Sequence, residues 1–122
     1  MERDASGAAR EPVPWDEEAP VAITVTDADG VIVRMNARAR ATFAKDGGGA
    51  LVGRSVLDCH PEPARARLAA LLAEQRANHY TISKGGQRKI IHQLPWYRDG
   101  QFAGVLELSL PIPDELPHFD RG

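Results

Sequence analysis

Apolar residues are concentrated in two strand-like stretches that flank a middle rich in alanine, arginine and glycine. In the first stretch, a β-branched run leads into Asp27-Ala-Asp-Gly30, where the glycine suits a tight turn, and a second run returns. In the second stretch, Gly85-Gly86 and Arg98-Asp-Gly100 separate three further runs. The pattern predicts five strands, at residues 21–26, 31–34, 80–83, 87–97 and 101–110.

The middle of the chain predicts two helices. Asn36 can cap a first helix that runs to about Lys45, where glycines 47–49 stop it. A second helix is predicted from Pro61 to about Ala77, with leucines 68, 71 and 72 on one buried face. Two strands, helices and then three strands predict an α+β fold, in which helices cover one face of an antiparallel sheet.

Proline and charge mark the ends of the domain. Residues 1–19 combine prolines with acidic residues and predict a flexible N-terminal tail, and residues 112–122 form a proline-rich C-terminal tail. The folded domain is therefore expected at 20–111. Trp15 stands out in the tail because an indole needs a surface to contact, either on its own domain or, as a dimer contact, on a second copy.

Composition narrows the class of protein. The 122 residues suffice for one domain, and 15 basic against 17 acidic residues give no field for nucleic acid. The sequence shows no hydrophobic stretch long enough for a signal peptide or membrane span, so a cytoplasmic protein without membrane contact is expected. One cysteine agrees with a reducing compartment.

Several short motifs together resemble a PAS domain. They are Thr26-Asp-Ala-Asp-Gly30, Asn36, Leu51-Val-Gly-Arg-Ser55, Tyr97-Arg-Asp-Gly100 and Gly104-Val-Leu-Glu107. The resemblance implies a five-stranded antiparallel sheet in the order 2-1-5-4-3, helices that enclose a pocket on one face, and a regulatory rather than catalytic task. It also implies a homodimer that signals to a separate protein.

A narrower set of residues resembles the PAS domains attached to bacterial haemerythrin-like proteins. These residues are Leu57-Asp-Cys-His-Pro61, His79-Tyr-Thr-Ile82, Gly85-Gly86 and Ile91-His92. The Asn-Cys-Arg-Phe-Leu run of flavin photoreceptors of this family is absent from the sequence, so flavin is not expected. Haem and a divalent metal stay open as cofactors.

Cys59 and His60 are the first candidates for reactive or metal-binding residues, and they lie at the predicted helix start. The partial positive charge there would lower the pKa of the thiol and disfavour protonation of the imidazole. The alternatives are a small buried cysteine and a histidine that caps the helix. Hydrolase catalysis by Cys59 with a histidine and Asp58 or Glu107 is not expected, because cysteine-protease signatures are absent.

Alternation along the fourth strand places His92 on one face with Ile90, Leu94 and Trp96. If that apolar face is the inner one, His92 lies in the pocket in its neutral form; the alternative is a hydrogen-bonded core histidine. We therefore predict a ligand pocket bounded by Cys59, His60, His79 and His92, with Cys59, His60 and His92 as the metal-ligand set. Two alternatives are a structural dimerisation module without ligand and a thiol redox sensor through Cys59.

Overall fold

Five strands form one antiparallel sheet, and the helices lie between the second and third strands of the chain. The computed structural model describes residues 12–122. The strand order β2-β1-β5-β4-β3 and the α+β class are as predicted. The elements are β1 Ala22–Thr26, β2 Ile32–Met35, α1 Ala37–Thr42, two 3₁₀ turns at Ala44–Asp46 and Gly48–Leu51, α2 Ala64–Glu74, β3 Asn78–Lys84, β4 Gln87–Arg98 and β5 Gln101–Pro111.

The turn between β1 and β2 is fixed by its first aspartate. The Asp27 carboxylate accepts hydrogen bonds from the N–H groups of Asp29 at 2.9 Å and Val31 at 3.0 Å. Gly30 has a φ of 83°, which glycine adopts without steric cost. The predicted turn chemistry therefore accounts for the hairpin.

Gly104 allows β5 to lie against the end of β1. Its φ is 149°, and a Cβ at this position would stand 2.0 Å from the carbonyl oxygen of Thr26. That carbonyl accepts a 2.9 Å hydrogen bond from Nε1 of Trp96, and the Thr26 hydroxyl accepts a 3.1 Å bond from the N–H of Val105. No residue with a side chain fits at position 104.

Asn36 joins the chain before β1 to the start of α1. Its side-chain oxygen caps the helix by accepting from the N–H of Ala39 at 3.0 Å and also accepts from Ile23 N–H at 2.9 Å. Its amide nitrogen donates to the carbonyls of Asp16 and Val21, each at 2.8 Å. Asn36 is 1% exposed, so these bonds satisfy a buried amide completely.

The inner part of the predicted N-terminal tail is bound to the domain. Glu17 pairs with Arg40 of α1, and the Asp16 carboxylate lies 2.5 Å from the Arg34 guanidinium of β2. Trp15 is exposed and does not dock on its own sheet. The rest of the tail prediction, residues 1–11, lies outside the described residues.

The second helix begins later than predicted, at Ala64 rather than Pro61. A residue that precedes a proline is disfavoured in helical conformation, and here Pro61 and Pro63 impose this restriction twice. The first helix is also shorter than predicted, because after Thr42 the chain continues in 3₁₀ turns.

The main core cluster lies between the sheet and the helical side. Its buried members are Ala22, Ile32, Met35, Ala39, Leu51 and Val56. Half-buried Phe43, Cys59 and Leu68 pack against them. None of the helices in residues 12–122 is long and apolar enough to cross a membrane.

Candidate functional site: a cavity on the inner face of the sheet

A cavity of about 140 Å³ lies between the sheet and the helical side, and we call the sheet face that borders it the inner face. Most of its wall is apolar, with side chains that include Ile32, Met35, Phe43, Leu51, Leu68 and Leu72. The polar side chains of the sheet floor are Thr24, Thr26, Gln93 and Glu107, and Cys59 and His60 contribute from the loop before α2. The cavity is thus apolar with a small polar floor.

The polar floor is held by hydrogen bonds that cross three strands. Asn78 of β3 donates from Nδ2 to Oε1 of Gln93 at 2.9 Å, and Gln93 of β4 donates from Nε2 to Oε1 of Glu107 at 3.0 Å. Gln93 is 6% exposed, so its amide is fixed by these two partners. Among residues 12–122, Glu107 has no other hydrogen bond, which leaves its second carboxylate oxygen for a donor in the cavity.

Tyr80 lies on the same face as Gln93 and Glu107, because it pairs with Ile91 across β3 and β4. Burial and, next, the negative charge of Glu107 raise the pKa of the Tyr80 hydroxyl, while Arg67 lowers it. The hydroxyl therefore stays protonated near neutral pH, although Tyr80 itself is exposed and does not line the cavity.

Cys59 and His60 both line the cavity, as predicted for the pocket wall. Cys59 is half-buried against the core cluster. The Nδ1–H of His60 donates to the carbonyl of Val56 at 2.6 Å. Since α2 begins only at Ala64, neither residue lies at a helix N-terminus, and the prediction that they stand at the start of this helix is wrong.

His79 and His92 lie away from the cavity, so the prediction that they bound the pocket is wrong. The side chains of β4 alternate as expected, but Ile91 and Gln93 are the buried residues, and His92 projects from the opposite, outer face. His92 pairs with His79 across β3 and β4, and their Nδ1 atoms are 2.8 Å apart.

The predicted metal-ligand set of Cys59, His60 and His92 is consequently not assembled, because the sheet separates His92 from the other two. Within the part of the chain that the structure describes, no group of three or more histidine, cysteine or carboxylate side chains is placed to hold a metal ion.

The comparisons with known proteins identify the family. A model of the PAS fold matches residues 16–115. The chain belongs to the PAS fold family. Among curated proteins, no sequence matches this PAS domain.

Solved structures agree with this assignment. The PAS domain of BvgS from Bordetella pertussis is 19% identical, with a TM-score of 0.61 over 82% of each chain. A sensory box sensor histidine kinase from Vibrio cholerae is 15% identical, with a TM-score of 0.59 over 83% of this chain and 87% of that one. The Aer2 receptor of Vibrio cholerae, described as a dual PAS-haem oxygen sensor, is 16% identical, with a TM-score of 0.56 over 76% and 95%. At these identities the likeness shows the fold alone.

The volume of the cavity limits what this PAS domain can enclose. A cavity of about 150 Å³ accommodates benzene. The volume here is about 140 Å³, so the cavity as it stands in this structure has room for a molecule of about the size of benzene, and haem and flavin are both far larger.

Sequence reasoning missed the polar floor. Gln93 and Glu107 lie on strands whose other face is the more aliphatic one, with Leu94, Leu106 and Leu108. Because apolar residues were taken to mark the inner face, the polarity of Gln93 and Glu107 argued against the correct assignment. The signal that could have found them is their pairing: a glutamine and a glutamate on adjacent strands satisfy each other when buried.

Proposed function

We propose that this PAS domain is a sensory and signalling module that binds a small organic ligand in its cavity and relays occupancy through contact with another protein. The observation that carries the proposal is the apolar cavity of about 140 Å³ with the Gln93–Glu107 pair at its floor. Structural neighbours that include a sensor histidine kinase and a receptor support a sensory role. We propose binding rather than catalysis.

The cavity defines the chemical class of the ligand. Its size suits a body of about the dimensions of benzene, and its walls favour an apolar one. The free oxygen of the Glu107 carboxylate favours a hydroxyl or amine donor on the ligand, because a half-buried carboxylate is more stable when its oxygens are hydrogen-bonded. The proposed ligand is therefore a small aromatic or aliphatic molecule with one donor group.

The hydrogen bonds of the polar floor could transmit the presence of a ligand from the cavity to the surface of the sheet at β3. A ligand that donates to the free oxygen of Glu107 shares this carboxylate with Gln93 and favours the carboxylate orientation that serves both donors, and Gln93 in turn accepts from Asn78 on the edge strand β3. Binding changes the balance between two arrangements only if the ligand interacts differently with each, and the orientation of the Glu107 carboxylate provides such a difference. We expect β3 and its exposed surface to report occupancy.

The test uses phenol and benzylamine as probes and two substitutions on neighbouring residues of β1. Thr24 lines the cavity, whereas Val25 belongs to the outer face. Thr24→Met fills part of the cavity and should weaken probe binding, measured by calorimetry, by about tenfold or more. Val25→Met adds a similar side chain on the other face and should leave the affinity unchanged. Failure of both probes to bind the wild-type chain, or equal binding by Thr24→Met, would contradict the proposal.

A thiol redox sensor is the second candidate, favoured by the position of Cys59 in the cavity wall. In this case the thiol should react with iodoacetamide in the folded protein near neutral pH, and hydrogen peroxide should change the thermal stability of the wild-type chain but not of Cys59→Ser. A thiol that reacts only after denaturation removes this candidate.

The output of the module is proposed to involve a homodimer with Trp15 in the contact, in keeping with the exposure of this indole. Trp15→Ser should lower the mass measured by light scattering, and Phe119→Ser, which changes another exposed aromatic residue, should not. A dimer that forms while no ligand binds would favour a purely structural module. The relation to PAS domains attached to haemerythrin-like proteins stays a prediction.

A further inference from the structure

Two histidines face each other on the outer face of the sheet, on the side away from the cavity. His79 of β3 and His92 of β4 are direct partners in the antiparallel register. Their Nδ1 atoms are 2.8 Å apart, and one donates its hydrogen to the other. The rings meet edge to face, with centroids 5.0 Å apart and an angle of 72° between their planes.

The sheet holds this pair in place. Directly opposed residues of an antiparallel pair have Cβ atoms about 4.5–5.5 Å apart, a separation set by the ladder and independent of the side chains. The strand β3 pairs with β4 over its whole length, from Asn78 to Lys84. The two imidazoles are therefore preorganised by the backbone on which they stand.

The surroundings of the pair contain no positive charge that would repel a cation. The neighbouring positions on the same face are Thr81 on β3, Ile90 and Leu94 on β4, and Leu108 on β5, and none of them carries a charge. His79 is exposed on an edge strand, so a hydrated ion can reach the nitrogen atoms.

The chemistry of the two nitrogens indicates the class of ion. Imidazole nitrogens suit Cu²⁺, Ni²⁺ and Zn²⁺, whereas Mg²⁺ prefers oxygen ligands. The two Nδ1 atoms are 2.8 Å apart across their hydrogen bond, so a small rotation of the side chains lets both reach one ion. Cu²⁺ also forms the strongest complexes with nitrogen ligands among the divalent first-row metals.

We propose that His79 and His92 form a binding site for a divalent transition-metal ion, with Cu²⁺ preferred over Ni²⁺ and Zn²⁺. The ion takes the place of the shared hydrogen between the two Nδ1 atoms, and the histidine that carried this hydrogen changes by exchange with water to its Nε2–H tautomer, so that both rings bind the ion as neutral imidazoles. Within residues 12–122 no third ligand joins the pair, so water completes the coordination and the site exchanges its metal readily. The site does not depend on the cavity on the inner face.

The test titrates the full chain, without a histidine tag, with Cu²⁺, Ni²⁺ and Mg²⁺. Because a free thiol reduces Cu²⁺, the Cu²⁺ titrations use a Cys59→Ser background, and Ni²⁺ is titrated into the wild-type chain. One Cu²⁺ should bind per chain, with two nitrogen ligands seen by electron paramagnetic resonance, and Mg²⁺ should not bind. His79→Gln and His92→Gln should each weaken Cu²⁺ and Ni²⁺ binding by about tenfold or more.

The two remaining histidines supply matched controls. His60→Gln and His118→Gln should leave the affinity unchanged, and the metal should raise the melting temperature of these variants but not of His79→Gln or His92→Gln. Circular dichroism without metal checks that each variant is folded. Absence of Cu²⁺ and Ni²⁺ binding overturns the proposal, as does binding that survives His92→Gln or disappears in His60→Gln. Phenol binding by His92→Gln keeps this result separate from the proposal for the cavity.

Discussion

Two neighbouring rows of residues cross the sheet, and they differ in chemistry although their members are sequence neighbours on β1, β3, β4 and β5. The row on the inner face is Asn78, Gln93, Glu107, Thr24 and Met35. The row on the outer face is His79, His92, Leu108 and Ile23. The inner row contains an amide–amide–carboxylate chain beneath the cavity, and the outer row places two imidazoles beside aliphatic side chains.

The comparison shows that polarity alone does not distinguish the faces of this sheet. What distinguishes them is how polar groups are satisfied. On the inner face Gln93 is bonded to a partner on each side, because a buried polar group without a partner costs about 1–3 kcal/mol. On the outer face His79 is exposed and has water as an alternative partner. The hydrogen bonds of the inner row therefore stabilise the sheet, whereas the histidines of the outer row can exchange their hydrogen-bond partners with water.

We expect the largest loss of stability from a substitution that disrupts the sheet itself, and with it both rows. Gly104→Ala places a Cβ against the Thr26 carbonyl, with no space to relax because the contact is with backbone. We expect a loss of about 4 kcal/mol or more in the free energy of unfolding, enough to prevent folding of a small domain. Urea titration followed by tryptophan fluorescence measures it.

Gly100→Ala is the matched control for this substitution. Gly100 also has a positive φ, of 77°, but a Cβ there meets nothing within 4 Å. Only conformational strain remains, at about 1–2 kcal/mol. Equal costs for the two substitutions would show that the close approach of β1 and β5 is not what requires Gly104.

The next effect compares adjacent isoleucines of β4. Ile91 is 5% exposed on the inner face, whereas Ile90 is half-buried on the outer one. Ile91→Ala should cost about 3 kcal/mol and Ile90→Ala about 1 kcal/mol, because the first leaves a cavity in packed surroundings. The midpoint of urea unfolding reports both, and a larger cost at Ile90 would reverse our assignment of the faces.

The smallest effect concerns the next two residues of the same strand. Gln93→Leu keeps most of the volume but deprives Asn78 and Glu107 of their partner, for a cost of about 2 kcal/mol. His92→Leu should change the stability by about 0.5 kcal/mol or less in buffer that contains a chelator. Equal stability of the two variants would mean that the amide chain across the inner row does not contribute.

Most of the fold and part of the site could be predicted from the sequence. Turn residues such as Gly30 and the cap at Asn36 act locally, so their roles follow from neighbours in the chain. The cavity wall at Cys59 and His60 was also predicted. The face on which His92 lies was not predicted correctly, because alternation shows which residues of β4 share a face but not which face meets the helices.

The start of the second helix shows a second limit of prediction from the sequence, which concerns the boundaries of an element. The pattern of leucines locates the helix, but the restriction from Pro63 moves its beginning from Pro61 to Ala64, away from Cys59 and His60. The pairing of His79 with His92 depends on the register of β3 against β4, which the glycine turn between them sets only once the strand ends are known.

The central claim is that small organic ligands bind on the inner face of this PAS domain and not on the outer one. Methyl NMR spectra recorded during a titration with phenol test it most directly. We expect the methyl signals of Ile32, Val56 and Val105 to shift and saturate together while those of Ile90 and Leu108 stay in place. Shifts confined to Ile90 and Leu108, or a spectrum that phenol leaves unchanged, would contradict it.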